Sequence, residues 1–421
     1  MLSGRTIAIE GTSMRTIAVA TRALDPAGGG AERSLCSLLN GVIIPGSKYD
    51  SSNTFQPLIP STENKIQNLE PWIVSTCFTM NGENTGLLDP QIQTHIINLP
   101  TESLFSGLAW RFRSKKSGHS HSRLFNYHLR NINNRFAKKI GEWLDKMPEK
   151  PKLGITQLEW SAGAAKAFTD RNIPYLIFIR DDIPFRYPHI FSKAISEAVC
   201  VCTAGNGLGQ QVKNNFSINM NSNIPLPIDY AGRFTDIETV KRIRSEGMES
   251  RKDTLDQPRF CIVGITPEKG FETYNRLFPH ILRVWPEAHF DIYGSGAYIE
   301  RLGHHENVTL HGHVPVQDAF SNADVHVLIT ETTGSWGRVI NEAGIFGIPT
   351  VTCSIGSQPE AVGQGGIVVQ NHHNIDEFES ALRDCWNRRY ELGQLAFEHT
   401  SITDHRRSVS IFHTLLEKLI S

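Results

Sequence analysis

The chain has 421 residues, 39% of them hydrophobic, with 42 Lys+Arg against 43 Asp+Glu. That length exceeds what one compact core serves and divides into two domains of roughly 150–200 residues each. A net charge of -1 excludes a globally basic nucleic-acid binder, and no apolar run approaches the ~20 residues of a membrane-spanning helix.

The amino-terminal stretch "MLSGRTIAIEGTSMRTIAVATRAL" has no signal-peptide apolar region. Its "RTIA" repeat places the expected start of the folded domain near Met14, with residues 1–13 a loose extension. From there "RTIAVATRAL" reads as a short buried strand, and "DPAGGGAERSLCSLLNGV" as a glycine-rich turn running into a helix. "WIVSTCF", "THIINLP", "KLGITQ", "IPYLIFIRDD", "AVCVCTA" and "SINMNSNIPLPID" continue as strands, with "WSAGAAKAFTDRN" a helix among them. A charged stretch, residues 230–257, is poor in large apolar groups and reads as a linker with some helix in it.

The alternation then restarts with "RFCIVG", helix "GFETYNRLFPHILRVWP", "AHFDIYGSG", "NVTLHGHV", helix "VQDAFSNA", "DVHVLIT", helix "RVINEAGIF", "PTVTC" and "GGIVVQ", and ends in helices. Strands alternating with helices predict an α/β fold of two doubly wound Rossmann-like domains facing a central cleft. The expected divisions are 1–229, a linker at 230–257, 258–395, and a terminal helical segment at 396–421 that packs back toward the first domain.

Seven cysteines, an odd number without framework spacing, point to reduced thiols and a cytoplasmic protein. Cys200 and Cys202 share one face of their strand and read as core thiols rather than a metal pair. The histidines fall in clumps without HExxH spacing and near no cysteine partner, so no metal site is expected. Between Arg111 and Lys139 stand nine Lys/Arg residues and no acid, with aromatics interleaved. This is a solvated helical face, or a patch for an anionic membrane surface or a phosphorylated acceptor. A nucleic-acid surface has no supporting module.

Four loops could meet a ligand at strand ends. Gly28–Gly30 opens a helix, where free amides favour an anion. In "VGITPEKGF" Lys269 can meet a phosphate as a point charge. "YGSG" brings Gly294 to the end of a strand, and "GSWGRVINEA" starts a helix whose first amides, around Gly337 to Val339, could hold a diphosphate. Glu342 lies one turn into that helix and, if buried, needs a partner. Ribose hydroxyls or Arg338 at i,i+4 would serve.

Taken in this order, "GGGAE", "RD" at Arg180-Asp181, "PLPID", "PEKG", "YGSG", "GRVINEAGIFGIPTV" and "PEAVGQGG" resemble the retaining nucleotide-sugar glycosyltransferases of the GT-B fold (the group 1 or family 4 type). The resemblance runs across nearly the whole chain. It implies that Gly29 and Gly30 approach the donor phosphate and the acceptor, that Lys269 meets the diphosphate, and that Glu342 binds the ribose. Gly337, Arg338 and Val339 would offer amides, and Val314 would hold the base through its backbone. Arg180 and Asp181 would line the acceptor side.

The implied reaction moves a sugar from a UDP-, GDP- or ADP-linked donor to a glycan, lipid or small-molecule acceptor with retention, without cofactor or metal. Polysaccharide biosynthesis is the implied setting, at the inner face of a membrane if residues 111–139 make peripheral contact. Two departures stand out. The acid that the family carries eight residues before Glu342 is replaced by Gly334, so Glu331 or Ser335 would have to serve the donor sugar. The arginine usual shortly before the "PEKG" lysine is also absent, leaving Lys269 as the main cation there. The alternatives are a catalytically weakened GT-B protein that binds a glycan or partner, and a nucleotide-sugar epimerase.

Overall fold

The computed structural model describes residues 15–24, 30–43, 72–81, 88–90, 92–97, 99, 123–180, 189–226, 237–331, 336–403 and 405–421. Expectations for residues 1–13, and those placed on Gly29, Asp181, Gly334 and Ser335, lie outside the described residues.

Two parallel sheets organise the chain. The first contains β1 (Thr16–Ala23), β2 (Ile73–Asn81), β3 (Thr94–Ile96), β4 (Leu153–Gln157), β5 (Tyr175–Ile179), β6 (Cys200–Thr203) and β7 (Asn221–Asn223), in the order β3-β2-β1-β4-β5-β6-β7. The second contains β8 (Arg259–Val263), β9 (His289–Tyr293), β10 (Val308–Gly312), β11 (Val325–Leu328), β12 (Thr350–Cys353) and β13 (Gly366–Val369), in the order β10-β9-β8-β11-β12-β13. Strand order reverses between β1 and β4 in one sheet and between β8 and β11 in the other. Crevices open at the carboxyl ends of such switch points.

The strands are short and apolar because both faces of a parallel sheet are covered. Along β1, Ile17 and Val19 join one core layer and Ala18 and Ala20 the other. The same period of two sorts β5, with Leu176 and Phe178 on one face and Tyr175, Ile177 and Ile179 on the other. Full burial of each such Leu, Ile or Phe contributes roughly 1.5–3 kcal/mol.

One layer is covered by α2 (Arg123–Leu144), α3 (Ala162–Thr169) and α4 (His189–Ser196). The opposite layer is covered by α1 (Gly30–Ile43) and, from the far end of the chain, α13 (His405–Ile420). Val409, Phe412, Leu415 and Leu416 of α13 are buried against α1 and β5, and Arg15 pairs with Glu417. Cys200 and Cys202 lie in this layer, their sulfurs 4.0 Å apart.

After α5 (Asn206–Asn215), α6 (Ile237–Glu249) rests on α8 (Val316–Phe320), which is followed by the buried pair Arg251 Nη2–Asp324 Oδ2 at 2.9 Å. The second sheet is flanked by α7 (Phe271–Val284), α9 (Arg338–Ile345), α10 (Gln358–Val362), α11 (Ile375–Asn387) and α12 (Arg389–Thr400). Among the described residues no helix is long and apolar enough to cross a membrane.

Candidate functional site

The crevice of the second sheet is built on the ends of β8 and β11. After β8, Gly264 turns with φ +73°, and Pro267–Lys269 forms a single 3-10 turn. Thr266 Oγ1 accepts from the Lys269 amide at 3.2 Å, and Gly270 closes the turn at φ +70°. A Cβ at Gly270 would lie 2.6 Å from Ile329 Cβ, so any larger residue would push the turn away from β11. The turn is held from the other side as well. The Glu268 carbonyl accepts from Thr330 Oγ1 at 3.2 Å and from the Glu331 amide at 2.9 Å. The Tyr274 hydroxyl, on α7, bonds the Val327 carbonyl and the Ile329 amide, both at 3.1 Å. The loop carrying Lys269 and the root of the loop entering α9 therefore form one clamped unit.

Lys269 is partly buried. Desolvation depresses its pKa, and the nearby Glu342 carboxylate opposes that shift. Its ammonium sits beside Gly264, since a Cβ built there would be 3.4 Å from Nζ. Gly294, at the end of β9 with φ +122°, lies against Gly264. Val314 follows β10 and is half-buried.

Gly337 precedes α9 at φ +72°, and a Cβ there would meet Leu328 Cδ2 at 2.9 Å. No side chain caps this helix start. Arg338 and Glu342 are both largely buried, with Nη2–Oε1 at 3.9 Å. This is a long i,i+4 contact, so the two readings of Glu342, ribose acid and Arg338 partner, fit one geometry. Glu331 is half-buried, and its charge is felt at His372 and Cys353. Lys269, Arg338 and Glu342 thus come together, with Gly337 at the start of the same helix, while the Glu331 amide is tied to the Glu268 carbonyl.

On the facing wall, Gly30 starts α1, with Glu32 buried in its first turn. Burial raises the Glu32 carboxyl pKa, opposed by the helix amide, Arg22 and Arg180. Arg180 follows β5, 8% exposed, its guanidinium 4.4 Å over the Phe178 ring. Below them, Gln157 Nε2 donates to Thr21 Oγ1 at 2.6 Å, tying β4 to β1 at the switch point. Asn133, fully buried on α2, donates to the Glu159 carbonyl at 2.8 Å and accepts from the Gly163 amide at 2.6 Å, fixing the β4–α3 loop. Neither Gln157–Thr21 nor Asn133 was marked by a motif. Their only sequence signal is a polar residue inside an apolar pattern.

Trp336 was also missed. It is 3% exposed, and its Nε1 donates to Asn341 Oδ1 at 2.8 Å while Asn341 Nδ2 donates to the Ala361 carbonyl at 3.1 Å.

Of the basic stretch, residues 111–122 lie outside the described residues, and 123–139 lie on α2. Arg130 and Tyr127 face outward and, with Lys166, His189 and Lys193, line a groove of about 690 Å³. Elsewhere, His280, Asp376 and Glu379 place ligand-type atoms within 4.8 Å of one another. Arg383 Nε binds Glu379 at 2.9 Å and Arg283 donates to His280 Nδ1 at 3.2 Å, so these charges are balanced by their own neighbours.

Residues 257–388 match the family model described as glycosyl transferases group 1. A curated relative from Corynebacterium glutamicum, a GDP-mannose-dependent monoacylated alpha-(1-6)-phosphatidylinositol monomannoside mannosyltransferase, is 26% identical over 156 residues, covering 33% of this chain and 41% of the relative. Among solved structures, Anabaena HepE in complex with UDP and glucose aligns with TM-score 0.61 at 15% identity, covering 96% of this chain and 99% of that one. Sucrose-phosphate synthase from Thermosynechococcus elongatus aligns with TM-score 0.64 at 14% identity, covering 96% and 98%. At these identities the structural likenesses establish the two-domain GT-B fold.

Proposed function

We propose that the chain, whose residues 257–388 match the model of glycosyl transferases group 1 and which has a GT-B fold, transfers a sugar from a nucleoside-diphosphate donor to a hydroxyl of a glycan, lipid or small-molecule acceptor. The observation that carries this reading is the meeting of Lys269, Arg338 and Glu342 at the β8/β11 switch point. Glu342 accepts from the ribose hydroxyls. Lys269, with the amides of Gly337 to Val339 at the positive end of α9, holds the diphosphate. Gly294 allows close backbone approach, and the Val314 backbone receives the base. The donor phosphate and the acceptor are assigned to Gly29 and Gly30, and the acceptor further to Arg180 and Asp181. Glu331 or Ser335 serves the sugar in place of an acid at Gly334.

In the reaction the bond from the anomeric carbon to the diphosphate oxygen breaks. The acceptor oxygen bonds to that carbon from the same face, with retention. The hydroxyl proton passes to the departing diphosphate. Lys269 and Arg338 stabilise the developing negative charge, so neither metal nor cofactor is required. Seven buried free thiols suit a reducing, cytoplasmic setting, and the basic groove beside α2 suits peripheral contact with an anionic membrane face.

A panel led by GDP-mannose and UDP-glucose, with an ADP-sugar, tests this reading by nucleotide release with and without EDTA. The product anomer is read by NMR. Turnover should survive EDTA and fall at least tenfold in Glu342→Ala. Absence of turnover with every donor, together with nucleotide binding that Glu342→Ala leaves intact, would sink it. Nucleotide binding that needs Glu342 but yields no turnover would favour the weakened, ligand-binding form that Gly334 keeps open.

A further inference from the structure

Among the described residues Arg180 is a buried cation with no carboxylate in contact, Glu32 acting on it only from beyond salt-bridge distance. It is 8% exposed, and its Nε and one Nη find no hydrogen-bond partner among the described residues. No carboxylate of those residues stands within salt-bridge distance of it. The guanidinium lies over the Phe178 ring, 4.4 Å from its centroid. Removing such a charge from water without a partner costs several kcal/mol, on the order of the penalty for breaking a buried pair.

The surroundings do not relieve that cost. Burial lowers the Arg180 pKa to about 10, the positive charge of Arg338 adds to the fall, and Cys202 and Glu32 oppose it. Arg338 belongs to α9 in the second domain, and its like charge is felt at Arg180 in the first. Two like charges held this way, one of them a nearly buried fork of unused donors, are complementary to an oxyanion with several acceptor atoms. Arg338 belongs to the donor clamp and Arg180 to the other sheet: Arg180 follows β5, whereas Lys269 follows β8 and Arg338 and Glu342 lie on α9.

We propose that Arg180 binds a phosphate group carried by the acceptor, so that the acceptor is a phosphate monoester or diester. This rests on the donor-site reading above, which assigns the nucleoside diphosphate to Lys269, α9 and Glu342.

The test uses the full chain, with inorganic phosphate as the probe at constant ionic strength. Phosphate is titrated by calorimetry and thermal shift into protein saturated with GDP or UDP. The wild type should bind phosphate together with the nucleotide. Arg180→Gln should weaken phosphate at least tenfold while changing the nucleotide Kd less than twofold. Arg180→Lys, which keeps the charge but loses the fork, should fall between. A binding cation and a structural one also differ in the free protein, where Arg180→Gln should match or exceed the wild-type melting temperature.

Three results would overturn the proposal. The first is phosphate that competes with the nucleotide, with Arg180→Gln weakening the nucleotide tenfold, because the anion is then the donor's diphosphate. The second is phosphate binding unchanged in Arg180→Gln. The third is a lowered melting temperature in both variants without loss of phosphate binding, which marks a structural arginine. If the wild type binds no nucleoside diphosphate, the donor reading fails separately. Phosphate titration of the free wild type against Arg180→Gln then still decides the Arg180 site.

Discussion

The Glu360 carboxylate, on α10 of the second domain, accepts from the backbone amides of Asn206 at 3.0 Å and Gly207 at 3.1 Å, at the start of α5 in the first. Ser357 Oγ adds a contact from the Leu208 amide at 3.4 Å. One domain thus caps a helix of the other, where Gly207 lies so close that a Cβ would be 2.3 Å from the Gly356 carbonyl oxygen. A cap of this kind is worth about 0.5–2 kcal/mol. Glu360→Ala should lower stability by that amount in denaturant unfolding, and Gly207→Ala should cost more. Small-angle scattering should report a wider spread of domain orientations for both variants.

Lys269 should make donor binding depend on pH. Burial lowers its pKa in the free protein from the 10.5 of an ordinary lysine. A bound diphosphate favours the charged ammonium and raises the pKa again. Binding should therefore take up a proton at alkaline pH, and affinity should weaken as pH rises through the depressed value. Calorimetry in buffers of different ionisation enthalpy reads the uptake directly. Lys269→Met should abolish it and weaken binding by ~1.5–3 kcal/mol.

His326, fully buried on β11, should contribute to acid sensitivity. Burial lowers its pKa to about 3, with the Lys269 charge adding to the fall, against 6.5 for an ordinary histidine. Between these values the unfolded chain binds a proton that the folded chain does not, so stability rises with pH across the window and is lost as pH falls through it. His326→Gln should flatten the slope of unfolding free energy between pH 6.5 and 3. An unchanged slope would contradict this assignment.

Trp336→Phe keeps the ring but removes the donor to Asn341, leaving a buried amide oxygen short of a partner. The expected cost is about 1–3 kcal/mol in unfolding. Because Trp336 stands directly before α9, the variant should also raise the donor KM. Unfolding curves and donor saturation measured on one preparation would separate the two effects.

The outward face of α2 should bind anionic vesicles more than neutral ones, with binding that fades as salt rises. Arg130→Glu with Arg135→Glu should reduce co-sedimentation with phosphatidylserine vesicles several-fold. Nucleotide binding should stay unchanged, since both residues are exposed on α2.

Much of the fold was legible in local pattern. "KLGITQ" and "IPYLIFIRDD" hold the strands Leu153–Gln157 and Tyr175–Ile179, every residue of which is buried, and an apolar run bounded by turn residues carries that information. The "PEKG" and "GRVINEA" stretches were legible for a similar reason. Each is a short loop whose glycines meet a local steric demand, as Gly270 does against Ile329 and Gly337 against Leu328.

Sheet order was not legible. Nothing in β2 or β3 says that they lie on the far side of β1 from β4, because pairing partners are chosen by packing between distant segments. Thr21 and Gln157 met for that reason, and Asn133 looked like one more polar residue on a basic helix. The sequence by itself determined the strand and helix alternation, the division into two α/β domains and the glycines of the Lys269 and α9 turns, all consequences of backbone sterics and hydrophobic period. Tertiary structure alone decided that Gln157 meets Thr21, that Glu360 caps α5, and that the Arg338 charge is felt at Arg180. Each joins groups far apart in the chain, and only the closed core supplies the burial that makes those contacts consequential.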